Sequence, residues 1–216
     1  MKTTLVIGAG RFGKHLALEL CKMGNEVMLV DRNEQLIDEL AHRVTAAEIG
    51  DYTLYSNLQA LGVEDYDYIF VCIGKFQESL VIVDHLRRLG AQKILAKASS
   101  SVHERFLKMA GADEIIYPER DSAFTTAVEY SNRNIYDFIK LNDESGIYEI
   151  DVPASWIGKS LVNLNVRKTH GVTVIASKSP DDKITAINSA DYIFNPDEHI
   201  IIMGNKDNIR KLTKDK

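Results

Sequence analysis

The strongest constraint on how this chain folds is a glycine loop in a particular setting. Gly8-Ala9-Gly10-Arg11-Phe12-Gly13 has the spacing GxGxxG, follows the short apolar run Thr4-Leu5-Val6-Ile7, and opens a helical pattern carrying Leu16, Ala17, Leu20 and Cys21. Residues 27–30 form a second apolar run, and Asp31 closes it 18 positions beyond Gly13. Strand, glycine turn, helix and a second strand ending in an acid make the arrangement that cradles a dinucleotide or adenine nucleotide. Gly8 permits the tight turn, Gly10 lets backbone N–H groups approach a pyrophosphate, and Gly13 lets the helix pack close to the sheet. The helix N-terminus adds partial positive charge. Asp31 accepts from both ribose hydroxyls and repels a 2′-phosphate, which favours NAD or an adenine nucleotide over NADP; Arg32 beside it keeps that choice open. Arg11, inside the loop, either reaches phosphate or stays solvated.

The alternation continues. Asn33 caps a helix bearing Leu36, Ile37 and Leu40. Gly50-Asp51 ends a third run at 46–49 on the ligand side of such a sheet, and Asp51 either contacts adenine or caps the next turn. Strands follow at 68–73, 93–97 and 115–117, with helices at 54–61, 79–89 and 102–110 between them. Gly74, past the fourth strand, joins the ligand-side candidates. Strands separated by helices pair in parallel through right-handed crossovers, which predicts an α/β, doubly wound, Rossmann-like domain. After a helix at 123–133 the pattern becomes strand-rich: 147–152, 172–177, 192–194 and 199–203, with helices at 162–169 and 208–212. We expect a boundary near residue 136, with a nucleotide-binding domain at 1–135 and a small α+β domain at 136–216.

Charge narrows the partners. Lys and Arg number 26 against 31 Asp and Glu, for a net charge of −5. Non-specific nucleic-acid binding needs a basic face, so nucleic acid is not expected. No stretch approaches the roughly 18–20 apolar residues of a membrane helix, so direct membrane insertion is not expected either. Cys21 and Cys72 lie in apolar segments without metal spacing, which fits a reducing, cytoplasmic setting.

Catalytic machinery is not visible. GxSxG, HExxH and Walker loops are absent, and the six histidines stand singly. Tyr136 and Lys140 form a YxxxK, the spacing that places Lys one helical turn from a catalytic Tyr in short-chain dehydrogenases, but Ala123 occupies the position of their catalytic Ser. A nucleotide site without chemistry favours sensing over catalysis; an NAD-dependent oxidoreductase using Tyr136 is the alternative.

Several motifs together resemble the RCK (regulator of potassium conductance) family, specifically its KtrA/TrkA-type cytosolic members. Gly8-Ala9-Gly10-Arg11-Phe12-Gly13 resembles their phosphate loop, Asp31-Arg32-Asn33 their ribose-binding strand end, and Ile49-Gly50-Asp51 the step after strand three. Gly111-Ala112-Asp113 and Tyr117-Pro118-Glu119 resemble the signature closing their nucleotide domain. Residues 152–161, Asn165-Val166-Arg167, 171–175 and 197–204 resemble their small C-terminal domain. Tyr52 departs from the pattern, standing where a small residue usually follows.

The resemblance implies a nucleotide-sensing subunit that gates a membrane potassium transporter without catalysis. It implies ATP, ADP or NAD(H) at the glycine loop and a KtrB/TrkH-like translocating partner at the inner face of the membrane. Dimers would assemble into an octameric ring. Glu119 would reach a neighbouring subunit's nucleotide through a divalent or monovalent cation, or be an ordinary surface acid. Lys97 would pair with phosphate or with Glu119. Cyclic di-AMP would bind the C-terminal domain near Arg167 and His170. A regulator of a different cation channel or efflux system is the further alternative.

Overall fold

The computed structural model describes residues 1–131 and 134–213. The chain divides between Glu119 and Arg120 into two compact units.

In the first unit, strands β1 (Thr3–Ile7), β2 (Glu26–Asp31), β3 (Ala46–Ile49), β4 (Tyr68–Val71), β5 (Ile94–Lys97) and β6 (Glu114–Ile116) alternate with helices α1 (Arg11–Lys22), α2 (Glu34–Leu40), α3 (Tyr55–Ala60), α4 (Phe76–Arg88) and α5 (Ser101–Ala110). All six strands pair in parallel, in the order β3-β2-β1-β4-β5-β6. This is the expected doubly wound sheet. The apolar runs are uninterrupted because both faces are covered. In β1, Leu5 and Ile7 join the core beneath α4, with Ile82 and Leu86. Val6, between them, joins the opposite core with Ala17 of α1 and Ile37 and Leu40 of α2. Chain order reverses between β1 and β4, which opens a crevice at the strand ends.

The second unit opens with helix α6 (Pro118–Ser131), whose first two residues belong to the first unit. It continues with β7 (Ile135–Lys140), β8 (Ser145–Asp151), helices α7 (Leu161–Leu164) and α8 (Val166–His170), β9 (Val172–Lys178), β10 (Ile184–Ala186), β11 (His199–Asn205) and α9 (Lys206–Leu212). Its sheet is antiparallel, in the order β10-β9-β11-β8-β7. Trp156, Phe194, Ile200, Ile202 and Ile209 fill its core.

Several expectations differ from the structure here. The 123–133 helix starts earlier, at Pro118, and its expected end at Arg133 lies outside the described residues. Phe124 and Val128, one turn apart, pack against the second core, so the division falls at 119/120 rather than near 136. The strand expected at 192–194 is a single bridge between Ser160 and Ile193. The helix expected at 162–169 breaks at Asn165.

Candidate functional site

The C-terminal ends of β1, β2, β3 and β4 surround a cleft of about 300 Å³, within the range of small-molecule sites. Gly8, Gly10, Asp31, Arg32, Asn33, Asp51, Tyr52 and Gly74 all line it, as do Lys75 and Glu78. Gly8 has φ +107°, a conformation open to glycine, and its N–H donates to the Val30 carbonyl at 2.8 Å. A Cβ on Gly13 would lie 1.9 Å from the Gly8 carbonyl oxygen and 3.1 Å from Cys72 Cβ, so α1 approaches the sheet as closely as the fingerprint requires. A Cβ on Gly10 would meet nothing within 4 Å. Gly10 begins α1 without a side-chain cap, which leaves the first-turn amides for a ligand.

Asp31 braces the loop as well as facing the cleft. Its Oδ2 accepts the Ala9 N–H at 2.7 Å and its Oδ1 accepts the Asn33 N–H at 2.8 Å. Asn33 caps α2 by accepting the Leu36 N–H at 3.3 Å. Asp51 caps its own turn, accepting from the Thr53 hydroxyl at 2.6 Å and the Thr53 N–H at 3.0 Å, and these bonds hold its carboxyl below the usual range. Tyr52 is buried in the wall, and its hydroxyl donates to Glu48 at 3.0 Å. Burial and then that carboxylate push the hydroxyl well above the ordinary tyrosine range. Burial pushes the Cys72 thiol up to about 12, so it acts as a small apolar group in the cleft floor.

Two rim residues, Lys75 and Glu78, carried no sequence signal. Glu78 Oε1 accepts from Lys75 Nζ at 2.9 Å and from Arg32 Nη1 at 3.2 Å, which ties the end of β2 to the start of α4. These cations, Lys75 first, hold the Glu78 carboxyl below its usual range.

A second group lies beside the loop, outside the cleft lining. Lys97 Nζ contacts Glu119 Oε1 at 2.7 Å and sits 5.8 Å from the centre of the Phe12 ring. Lys97, with a smaller contribution from Arg11, lowers the Glu119 carboxyl. Of the two partners expected for Lys97, the structure shows Glu119. In the second unit, Arg167 and His170 both sit on α8, with His170 against Trp156 at 5.3 Å between ring centres.

The YxxxK reading fails structurally. Tyr136 and Lys140 lie on a strand, where four residues span about 13 Å rather than one helical turn. Tyr136 stacks on His199 and donates to Asp151 at 3.0 Å, while Lys140 pairs with Asp143 at 2.6 Å.

Comparison with known proteins agrees with this architecture. The TrkA-N domain model matches residues 4–118, and the TrkA-C domain model matches residues 147–215. Ktr system potassium uptake protein A of Bacillus subtilis (strain 168) is 35% identical over 211 residues, covering 97% of this chain and 95% of that protein. The chain belongs to the KtrA/TrkA-type RCK family. Ktr system potassium uptake protein C of the same organism is 33% identical over 214 residues, covering 99% of this chain and 96% of that one. The RCK fold extends to solved structures. The GsuK channel bound to NAD has a TM-score of 0.69 at 17% identity, covering 98% of this chain and 39% of that chain. The GsuK RCK domain has a TM-score of 0.67 at 17% identity, covering 99% of this chain and 47% of that chain. This RCK chain therefore spans less than half the length of those solved chains, and the likeness is one of fold.

Proposed function

We propose that the chain is a regulatory subunit of a membrane potassium transporter and that it senses ATP, ADP or NAD(H) in the glycine-loop cleft without transforming it. The observation that carries this reading is the loop itself. Gly13 packs against Gly8, Gly10 is open, and Asp31 is bonded to the Ala9 amide at the mouth of a cleft of about 300 Å³. Two relatives that align along nearly their whole length are potassium uptake proteins, and a chain of the same fold was solved with NAD. The separation of Tyr136 and Lys140 along a strand weighs against the oxidoreductase alternative.

The partner is a potassium-translocating subunit of the KtrB/TrkH type. Among the described residues no helix is long and apolar enough to cross a membrane, and the chain acts at the cytoplasmic face through that partner. Copies pair, and the pairs close into an octameric ring. A nucleotide that binds two ring shapes with different affinity shifts the population and hence the gate. Among the described residues no three His, Cys, Asp or Glu side chains converge, so a cation at Glu119 takes its other ligands from phosphate or a second copy. Cyclic di-AMP binds the second unit near Arg167 and His170.

Calorimetric titration with ATP, ADP, NADH and cyclic di-AMP, combined with light scattering, tests this reading. We expect nucleotide binding without turnover and a ring-sized particle. Asp31→Ala should weaken the adenine nucleotides about tenfold or more and spare cyclic di-AMP. Equal loss of both ligands would remove the two-site picture, and a stable monomer with and without nucleotide would remove the ring. The channel among the fold relatives motivates a second reading, regulation of another cation channel or efflux system. Potassium-uptake complementation with a co-expressed membrane subunit separates the two.

A further inference from the structure

Resting on the nucleotide reading above, we infer that Glu78 is a specificity-determining positioning residue: by engaging Arg32 and Lys75, it keeps the cleft from accepting a 2′-phosphorylated ribose. An Arg beside the ribose-binding acid is the residue type that accommodates a 2′-phosphate, and Arg32 stands immediately after Asp31. In this fold Arg32 is already engaged. Its Nη1 lies 3.2 Å from Glu78 Oε1, and the same oxygen takes Lys75 Nζ at 2.9 Å. One carboxylate oxygen thus occupies both cations of the cleft rim.

The charge count points the same way. The charged side chains lining the cleft are Asp31, Asp51, Glu78, Arg32 and Lys75. Three carboxylates against two cations leave a net charge of −1, and removing the Glu78 charge brings it to zero and frees both cations of their carboxylate partner. The geometry keeps the two acids distinct. Asp31 is braced by the Ala9 and Asn33 amides and cannot turn away without loosening the loop. Glu78 lies in the first turn of α4 and makes its side-chain bonds only to the two rim cations in the described structure. It can therefore be neutralised without touching the glycine loop. An exposed ion pair of this kind adds little to stability, so its loss should change selectivity rather than folding.

The test compares AMP with adenosine 2′,5′-bisphosphate, which differ only in the 2′-phosphate, each read by displacement of bound ADP. The proteins are the full-length wild type, Glu78→Gln and Glu78→Gln/Arg32→Ala. The wild type should prefer AMP. Glu78→Gln should move the ratio of the two affinities toward the bisphosphate by about tenfold or more. Adding Arg32→Ala should remove that gain. A merely structural role for Glu78 would weaken both competitors together and leave their ratio unmoved, and that result overturns the inference. A gain that survives Arg32→Ala overturns it too. If the wild type binds none of ATP, ADP and NADH, the functional reading falls and this inference with it. If ADP binds and only the ratio fails to move, the functional reading stands alone.

Discussion

A methyl group on Gly13 would sit 1.9 Å from the carbonyl oxygen of Gly8, and neither group can yield without moving α1 or the strand end. The same methyl on Gly10 would meet nothing within 4 Å, at an ordinary φ of −63°. Gly13→Ala should therefore destabilise the protein by about 3 kcal/mol, seen as a lower urea midpoint. Gly10→Ala should leave the midpoint unchanged or slightly raised while weakening nucleotide binding in calorimetry, because only a ligand needs that space. If the two variants unfold at the same midpoint, the close approach at Gly13 is not limiting. Another single-residue effect lies under α4. His103 is fully buried; its Nδ1 accepts the Ser99 N–H at 3.2 Å, which leaves Nε2 to donate to Ser79 Oγ at 2.8 Å. A second proton would sit on Nδ1, against the Ser99 amide and beside the Ser99 hydroxyl at 3.1 Å, and burial lowers the imidazole's pKa below the ordinary histidine range. The stabilising contribution is thus complete above about pH 6.5 and is lost as the pH falls through the lowered folded value. Urea midpoints between pH 7 and 5 should fall for the wild type and fall less for His103→Gln. The glycines and Asp31 were legible in the sequence because each answers a local geometric demand. Glu78 was not, because it meets Arg32 across 46 positions of chain and belongs to no motif.

Element boundaries in the first unit followed from apolar runs because both faces of the sheet are covered, so strand and helix segments contrast clearly. The second unit was harder, and β7 shows why. A bulge between Ile135 and Asp137 shifts its pairing, so the buried residues are Ile135 and Phe138, three apart. Spacing of three imitates a helix face, which is also why Tyr136 and Lys140 resembled a helical pair. β10 has all three residues exposed and so left no apolar signal. The break between α7 and α8 is carried by Asn165, at φ 45° and ψ 46°. Asparagine tolerates this left-handed conformation, whereas a β-branched residue does not. Asn165→Val should cost about 1–2 kcal/mol by joining two helices that the fold keeps apart, and Asn165→Gly should cost less. Thermal unfolding of the two variants decides: equal losses would shift the cost from the backbone to the asparagine side chain.

For the whole molecule, the question is where one folding unit ends. The first unit has cores on both faces of its sheet, built from residues before Glu119. Among the described residues the second has one core, and part of it comes from α6, through Phe124 and Val128, and from Ile135 at the start of β7. Phe124 also packs edge-on against Phe138, at 5.9 Å between ring centres. A fragment of residues 120–216 therefore keeps every one of these contacts. A fragment of residues 136–216 loses all three apolar side chains and begins inside a strand. Removing buried side chains of this size costs several kcal/mol in total, a large share of a small domain's stability. The longer fragment should unfold cooperatively in urea, with circular dichroism showing its sheet. The shorter one should have a midpoint lower by at least about 1 M, or no cooperative transition. Equal midpoints would mean that α6 adds nothing to the second core, and the division would move back toward residue 136. The complementary fragment, residues 1–119, retains the glycine loop, Asp31, Glu78 and the Lys97–Glu119 pair, so it should bind nucleotide with the affinity of the full chain if the cleft is built by the first unit alone.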